Sequence, residues 1–459
     1  MSKRFATLML ACALGAASAV TAGPGAGTVS AAGVLASPNV GLLANIPDAG
    51  SVGGRFVGRF YFTTTVTGLR IYDTTNPELP VLAGALPLPH WENEDVDVSA
   101  SRKLVLISHD DMGSRSGTNG TLYVISWLNP RLPRLLSRYE YPGTYTVGGR
   151  AVGGPGHIVN CISDCARYAY VNGARDGSIQ VIDLRDPAAP AIVASISAAT
   201  NPAGRPNDVF KTGIIHDVST DGAGTVWTVG SGGTSQMDVS NPLRPKVLRW
   251  ITPADNKKAN HFIHHNSLRL NRDTLLVTEE DYPAMCGEPS ALDPAVANQG
   301  SFQTWRIDNR RTGSGAVRPL DEWETELGTY LDGNAAVTGS CSSHWFTFSG
   351  RKVVAVGWYD QGVRFLDVSN PRNIRQVGYW IRPTMGLGAS GAYFVPGRDD
   401  LVYVTDYNRG LDILKIEAGG VGAPTVVAPI RTEWIRPRGT QPLFARPDPV
   451  FGFACRRPA

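Results

Sequence analysis

Asp360–Pro383 reads DQGVRFLDVSNPRNIRQVGYWIRP. It holds a turn, an apolar-alternating strand ending in Asp, a DVSNP punctuation of turn-forming residues, and a second alternating strand. Copies recur along the chain: GLRIYDTTNPELP from Gly68, TLYVISWLNPRLPRLLSRYEYP from Thr121, SIQVIDLRDPAAPAIVASI from Ser178 and TSQMDVSNPLRPKVLRWITP from Thr234. The prolines closing the punctuation, Pro77, Pro130, Pro187, Pro242 and Pro371, mark a period of roughly 55 residues with one interval doubled. An eroded copy, SFQTWRIDNRR from Ser301, fills the doubled interval, and GLDILKIE from Gly410 is a last copy without its second strand.

Each copy is preceded by two further strands, as in HIVNCISDCARYAYVNG from His157, HDVSTDGAGTVWTVG from His216, HHNSLRLNRDTLLVTEED from His264 and SSHWFTFSGRKVVAVGWYD from Ser342. Four short antiparallel strands cannot cover both of their own faces, so the repeats must stack side by side. Radial stacking predicts an all-β chain, a seven-bladed β-propeller of four-stranded antiparallel blades. Asn39–Ile46 resembles the missing last strand, so the last blade is expected to be closed by this N-terminal strand.

Lys3 and Arg4, the apolar run from Phe5 to Val20 and the small residues at Val20 and Ala22 have the pattern of an export signal over residues 1–22. The expected order is then a flexible spacer over 23–37, the propeller over 38–420 and an extension over 421–459. A secreted or extracytoplasmic location follows, with no transmembrane segment after cleavage. The formal charge of +3 gives no reason to expect nucleic acid as a partner. In an oxidising compartment cysteines pair by default. Cys161 and Cys165 flank one hairpin turn and are expected to pair. Cys286 and Cys341 fall on one face of adjacent repeats and form a second expected pair, which leaves Cys455 over.

The phrases GLRIYD, SIQVID, GVRFLDVSNP and GLDILKI resemble those of the LVIVD-repeat family of secreted bacterial β-propellers, over nearly the whole mature chain. The resemblance implies the fold and little about chemistry.

The histidines give a more specific signal. His157, His216, His264 with His265, and His344 each stand at the start of a first strand, and Glu94 and Asp95 hold that place in the second repeat, Ser390 in the seventh. In a propeller the first strand is innermost, so these side chains should converge at one mouth of the channel. Imidazoles on an axis can hold Fe, Cu, Zn or Mn, with a carboxylate as ligand or as the group orienting one; polar lining of a wet channel explains the same residues without a metal. Loops after the second strands reach the same mouth and bring His109, Asp110, Asp111, Arg175, Glu279, Glu280, Asp281, Tyr359, Asp360, Asp406 and Arg409. They suggest an acidic, aromatic-flecked funnel for a small molecule, a glycan or a protein, and Trp91, Trp345 and Trp358 are candidates to stack on a sugar.

The chain has no HExxH, no G-x-S-x-G and no phosphate-binding loop ending in Gly-Lys-Ser/Thr. The first expectation is therefore a binding or scaffold module acting through the His- and acid-lined face. The alternative is a metal-dependent oxidoreductase with a multi-His site on the propeller axis.

Overall fold

The structure, a computed structural model, describes residues 34–48, 50–88, 96–109, 120–141, 145–147, 150–152, 156–172, 178–197, 215–222, 224–260, 263–280, 300–325, 342–381, 388–417 and 425–427. Seven four-stranded antiparallel sheets account for nearly all of them. Blade 1 is Ser51–Val57, Phe60–Thr65, Gly68–Asp73 and Val81–Pro87, and blade 2 is Val96–Ser99, Leu104–His109, Thr121–Ser126 and Arg134–Glu140. Blade 3 is Val159–Ile162, Tyr168–Val171, Ser178–Asp183 and Ala191–Ser197, and blade 4 is Ile215–Thr220, Thr225–Gly230, Gly233–Asp238 and Lys246–Trp250. Blade 5 is Ile263–Asn271, Thr274–Glu280, Ser301–Ile307 and Val317–Trp323, and blade 6 is Phe346–Phe348, Val353–Gly357, Val363–Asp367 and Arg375–Ile381. Blade 7 takes Ala389–Phe394, Leu401–Asp406 and Gly410–Ile416 from the end of the chain and Val40–Ile46 from its beginning. The pairing of Val40 with Ile416 and Ile46 with Leu411 is the closure expected from the sequence.

First strands of successive blades touch one another all the way round, and the seventh touches the first. The apolar core is divided accordingly. Seven clusters of buried side chains lie one at each interface between blades, for example Tyr61 and Tyr72 of blade 1 against Leu401, Tyr403 and Ile413 of blade 7. A blade buried on both faces needs no polar face, which is why all six residues of Leu104–His109 are buried.

The punctuation has two structural jobs. Its first Asp and its Asn or Asp each accept the backbone N–H two residues on: Asp367 from Ser369 and Asn370 from Arg372 in blade 6, Asp73 from Thr75 and Asn76 from Glu78 in blade 1. These bonds hold Asp238 of blade 4 below the usual carboxylate range, the N–H of Ser240 being the largest cause. The proline carbonyl then bonds to the preceding blade. It accepts from Tyr403 at Pro77 (2.6 Å), Ser137 at Pro187 (2.9 Å), Tyr170 at Pro242 (2.7 Å) and Thr304 at Pro371 (2.5 Å). Pro130 instead approaches Gly84 so closely that a Cβ there would lie 2.1 Å from its oxygen.

Cys161 and Cys165 form the expected disulfide. Inside that loop Asp164 accepts the N–H groups of Ala100 and Ser101, both at 2.9 Å, which ties blade 3 to the turn of blade 2. Cys286, Cys341 and Cys455, the segment 1–22 and most of 421–459 lie outside the described residues. The expected spacer ends in a strand, Val34–Ala36, which pairs with the outer strand of blade 6 and with Thr425–Val427. One short helix, Pro253–Ala259, follows blade 4, capped by the Thr252 hydroxyl on the N–H of Asp255. Among the described residues no helix is long and apolar enough to cross a membrane.

Candidate metal centre

The inner strands carry a recurrent irregularity. In blade 4 the pairing jumps from Ile215 to Asp217, in blade 5 from His264 to Asn266 and in blade 7 from Ala389 to Gly391. His216, His265 and Ser390 are thus the extra residues of β-bulges, a device that turns one side chain away from the regular alternation of a strand. His157 and His344 stand just before their strands; the N–H of His157 bonds to Asn172 and that of His344 to Gly357.

These elements bring four imidazoles into one stack. Ring centroids lie 4.7 Å apart for His157 and His216, 4.1 Å for His216 and His265, and 4.0 Å for His265 and His344. All four residues are buried, as is Glu280 at the end of the second strand of blade 5. One ligand atom each from His216, His265 and Glu280 lie within 4.8 Å of one another.

Hydrogen bonds to the next blade fix two of the rings. His216 donates from Nδ1 to the carbonyl of His265 at 2.9 Å, and His344 from Nδ1 to the carbonyl of Ser390 at 2.6 Å. In the neutral ring each therefore carries its lone pair on Nε2. His216 Nε2 lies 2.9 Å from His157 Nε2. That spacing suits an N–H···N hydrogen bond and also two nitrogens held at right angles about 2.0–2.1 Å from one ion, whereas tetrahedral ligands stand about 3.4 Å apart. Ligands opposite one another on one ion are about 4.2 Å apart and tetrahedral ones about 3.4 Å, so closing the triad takes side-chain shifts of up to about 0.6 Å in the first geometry and about 1.4 Å in the second.

His264 does not join the stack. Its Nε2 donates to the carbonyl of Ala259 at 2.8 Å and its Nδ1 accepts from the Thr234 hydroxyl at 2.7 Å, so both nitrogens hold the helix and blade 4 in place. Glu279 also turns away from the stack and accepts from Ser301. The neighbouring residues His265 and Glu280 are the ones that face the cluster.

The remaining mouth residues are more enclosed than a solvent-filled funnel would have them. His109, Asp360 and Asp406 are buried. Asp406 accepts the N–H groups of Asn408 and Arg409, and Arg409 makes a two-pronged pair with Asp412 at 2.9 and 2.8 Å. Burial pushes Asp406 up to about 7, with neighbouring Asp412 and Asp360 adding to the rise. Trp358 packs edge-on to Trp323 between blades 5 and 6, and Trp345 edge-on to His265, so neither presents an open face to a sugar. Glu94, Asp95, Trp91, Asp110, Asp111, Arg175 and Asp281 lie outside the described residues.

One polar chain behind the stack has no counterpart among the sequence expectations. Asn172 donates to Asn160 (3.0 Å), Asn160 to Asp217 (3.2 Å), and Ser219 to the other oxygen of Asp217 (2.6 Å). Burial holds Asp217 above the usual carboxylate range, against hydrogen bonds from Ser219 and Asn160 and the nearby His216. Its position directly after the His that opens an inner strand, in HDVST, was the available signal.

No family model matches the chain, and a search of the curated proteins found no relative.

Proposed function

We propose that the protein is an exported, LVIVD-type propeller that holds one transition-metal ion at its inner strands and offers it to a small molecule or partner at the channel mouth. The β-propeller fold fits a binding module. The observation that carries the metal is the approach of His157 and His216 at 2.9 Å. His216 faces its neighbour with a lone pair, which an ion or the Nε2–H of His157 can meet, and His265 and Glu280 are close enough to complete an ion's shell. His157, His216, His265 and Glu280 are the proposed ligands, with His344 beside them. Imidazole with carboxylate suits Fe, Cu, Zn or Mn, and such an ion would supply Lewis acidity or, for Fe, Cu or Mn, a redox couple. Export is supported by the leader pattern and by the disulfide.

Elemental analysis of the purified exported protein tests this reading. About one equivalent of Fe, Cu, Zn or Mn is expected, and it should be absent from His216→Ala. Protein that takes up none of the four, even when reconstituted, removes the proposal; a lone proton shared by His157 and His216 would then account for their spacing. Native zinc would keep the site and exclude redox chemistry at the metal itself.

A further inference from the structure

The turn after the second strand of blade 6 folds in an unusual way. Tyr359 has φ of 41°, a left-handed conformation that costs a non-glycine residue about 1 kcal/mol or more. The turn is held there by Gln361 N–H on Trp358, Gly362 N–H on Tyr359 and a reciprocal pair of 3.0 Å bonds between Tyr359 and Ala389 of blade 7. Tyr359 is completely buried, its ring centroid 4.8 Å from that of His344. Its hydroxyl donates to Glu280 Oε1 at 2.5 Å, across to blade 5.

A strained backbone, full burial and a short phenol–carboxylate bond meet at one side chain, and packing alone would require none of them from a tyrosine. We infer that Tyr359 is a positioning residue for the metal site: it holds Glu280 by Oε1, so that the carboxylate meets the ion through Oε2 alone. This rests on the metal reading above. The bond fixes the carboxylate as a one-oxygen ligand and keeps its second oxygen from claiming a coordination position, which is left to an incoming ligand.

The test is a double-mutant cycle on full-length protein, with Zn2+ affinity read by competition with a chromophoric chelator and geometry read from the absorption of the Co2+-loaded form. Tyr359→Phe keeps the ring and the turn and should weaken Zn2+ binding about 10- to 100-fold. In a Glu280→Ala background the same change should leave affinity unaltered, because the group it acts through is gone. The Co2+ spectrum should shift in Tyr359→Phe, an effect that loss of stability alone does not produce. Tyr359→Gln, which retains a donor, is the second variant and should bind more tightly than Tyr359→Phe. Unchanged affinity and spectrum in Tyr359→Phe, or equal losses in both backgrounds, overturn the assignment while the metal site stands. A parent protein that binds neither Zn2+ nor Co2+ fails at the earlier step and takes this assignment with it.

Discussion

Blades 4 and 5 and blades 7 and 1 share a backbone device and fill it differently. All four bulge their innermost strand at the same point. In blades 4 and 5 the bulge carries His216 and His265, which stack on each other and on His157 and His344. In blade 7 it carries Ser390, whose hydroxyl bonds to Val52 of blade 1 (2.7 Å) and to Thr405 (2.8 Å). In blade 1 it falls between Ser51 and Gly54, where Ser51 bonds to Thr63 at 2.8 Å. The hydroxyl side satisfies its groups within the protein and closes the ring. The imidazole side packs ring on ring and sets Nε2 of His216 against Nε2 of His157. The bulge is thus part of the scaffold, and what sits on it decides whether an arc of the channel is seam or site.

The most severe way to break this contrast is to make blades 4 and 5 resemble blade 7. His216→Ser with His265→Ser should abolish metal uptake, a fall of at least about 1,000-fold in affinity, while the metal-free protein keeps its fold and loses less than about 3 kcal/mol. Circular dichroism with metal titration reads both outcomes, and loss of the fold would mean that the imidazoles are seam after all.

A smaller effect is expected on the hydroxyl side, at Asp406. Its folded-state pKa of about 7 lies above the usual carboxylate value, so between about pH 4 and 7 the folded chain keeps a proton that the unfolded chain has released. Stability from this group is therefore full at acid pH and is lost as pH rises towards 7. Asp406→Asn keeps an acceptor for Asn408 and Arg409, and should unfold about 1–3 kcal/mol harder than the parent above pH 7 and equally at pH 4. Parallel denaturation curves at the two pH values would show that Asp406 is ionised throughout.

The smallest effect tests the part the two sides share. Tyr170→Phe removes the bond to Pro242 between blades 3 and 4, and Tyr403→Phe the bond to Pro77 between blades 7 and 1. Each should cost about 1 kcal/mol, and the two should cost alike. A marked inequality in urea melts would mean that the ring is not held uniformly.

Much of this organisation is written locally. The D-x-[ST]-[ND]-P phrase carries its own turn bonds, since Asp367 and Asn370 reach only two residues ahead. Its spacing of a blade's length, the closing strand at Val40–Ile46 and the short loop that pairs Cys161 with Cys165 are also legible. Even the placing of His157, His216 and His344 at inner strands followed from the repeat.

Tertiary structure alone decided which of two adjacent residues faces the axis. Side chains alternate along a strand, so a one-residue bulge selects His265 over His264, and no local pattern in HHNSLRL announces it. The same holds for Glu280 over Glu279. The tautomers of His216 and His344 depend on carbonyls one blade away, and Tyr359 reaches Glu280 from the neighbouring blade. Those contacts join residues about fifty or more positions apart, a separation that only the packing of one blade against the next brings within hydrogen-bonding distance. The sequence by itself determined a ring of blades with histidines at its centre; packing between the blades decided which nitrogens and which carboxylate meet there.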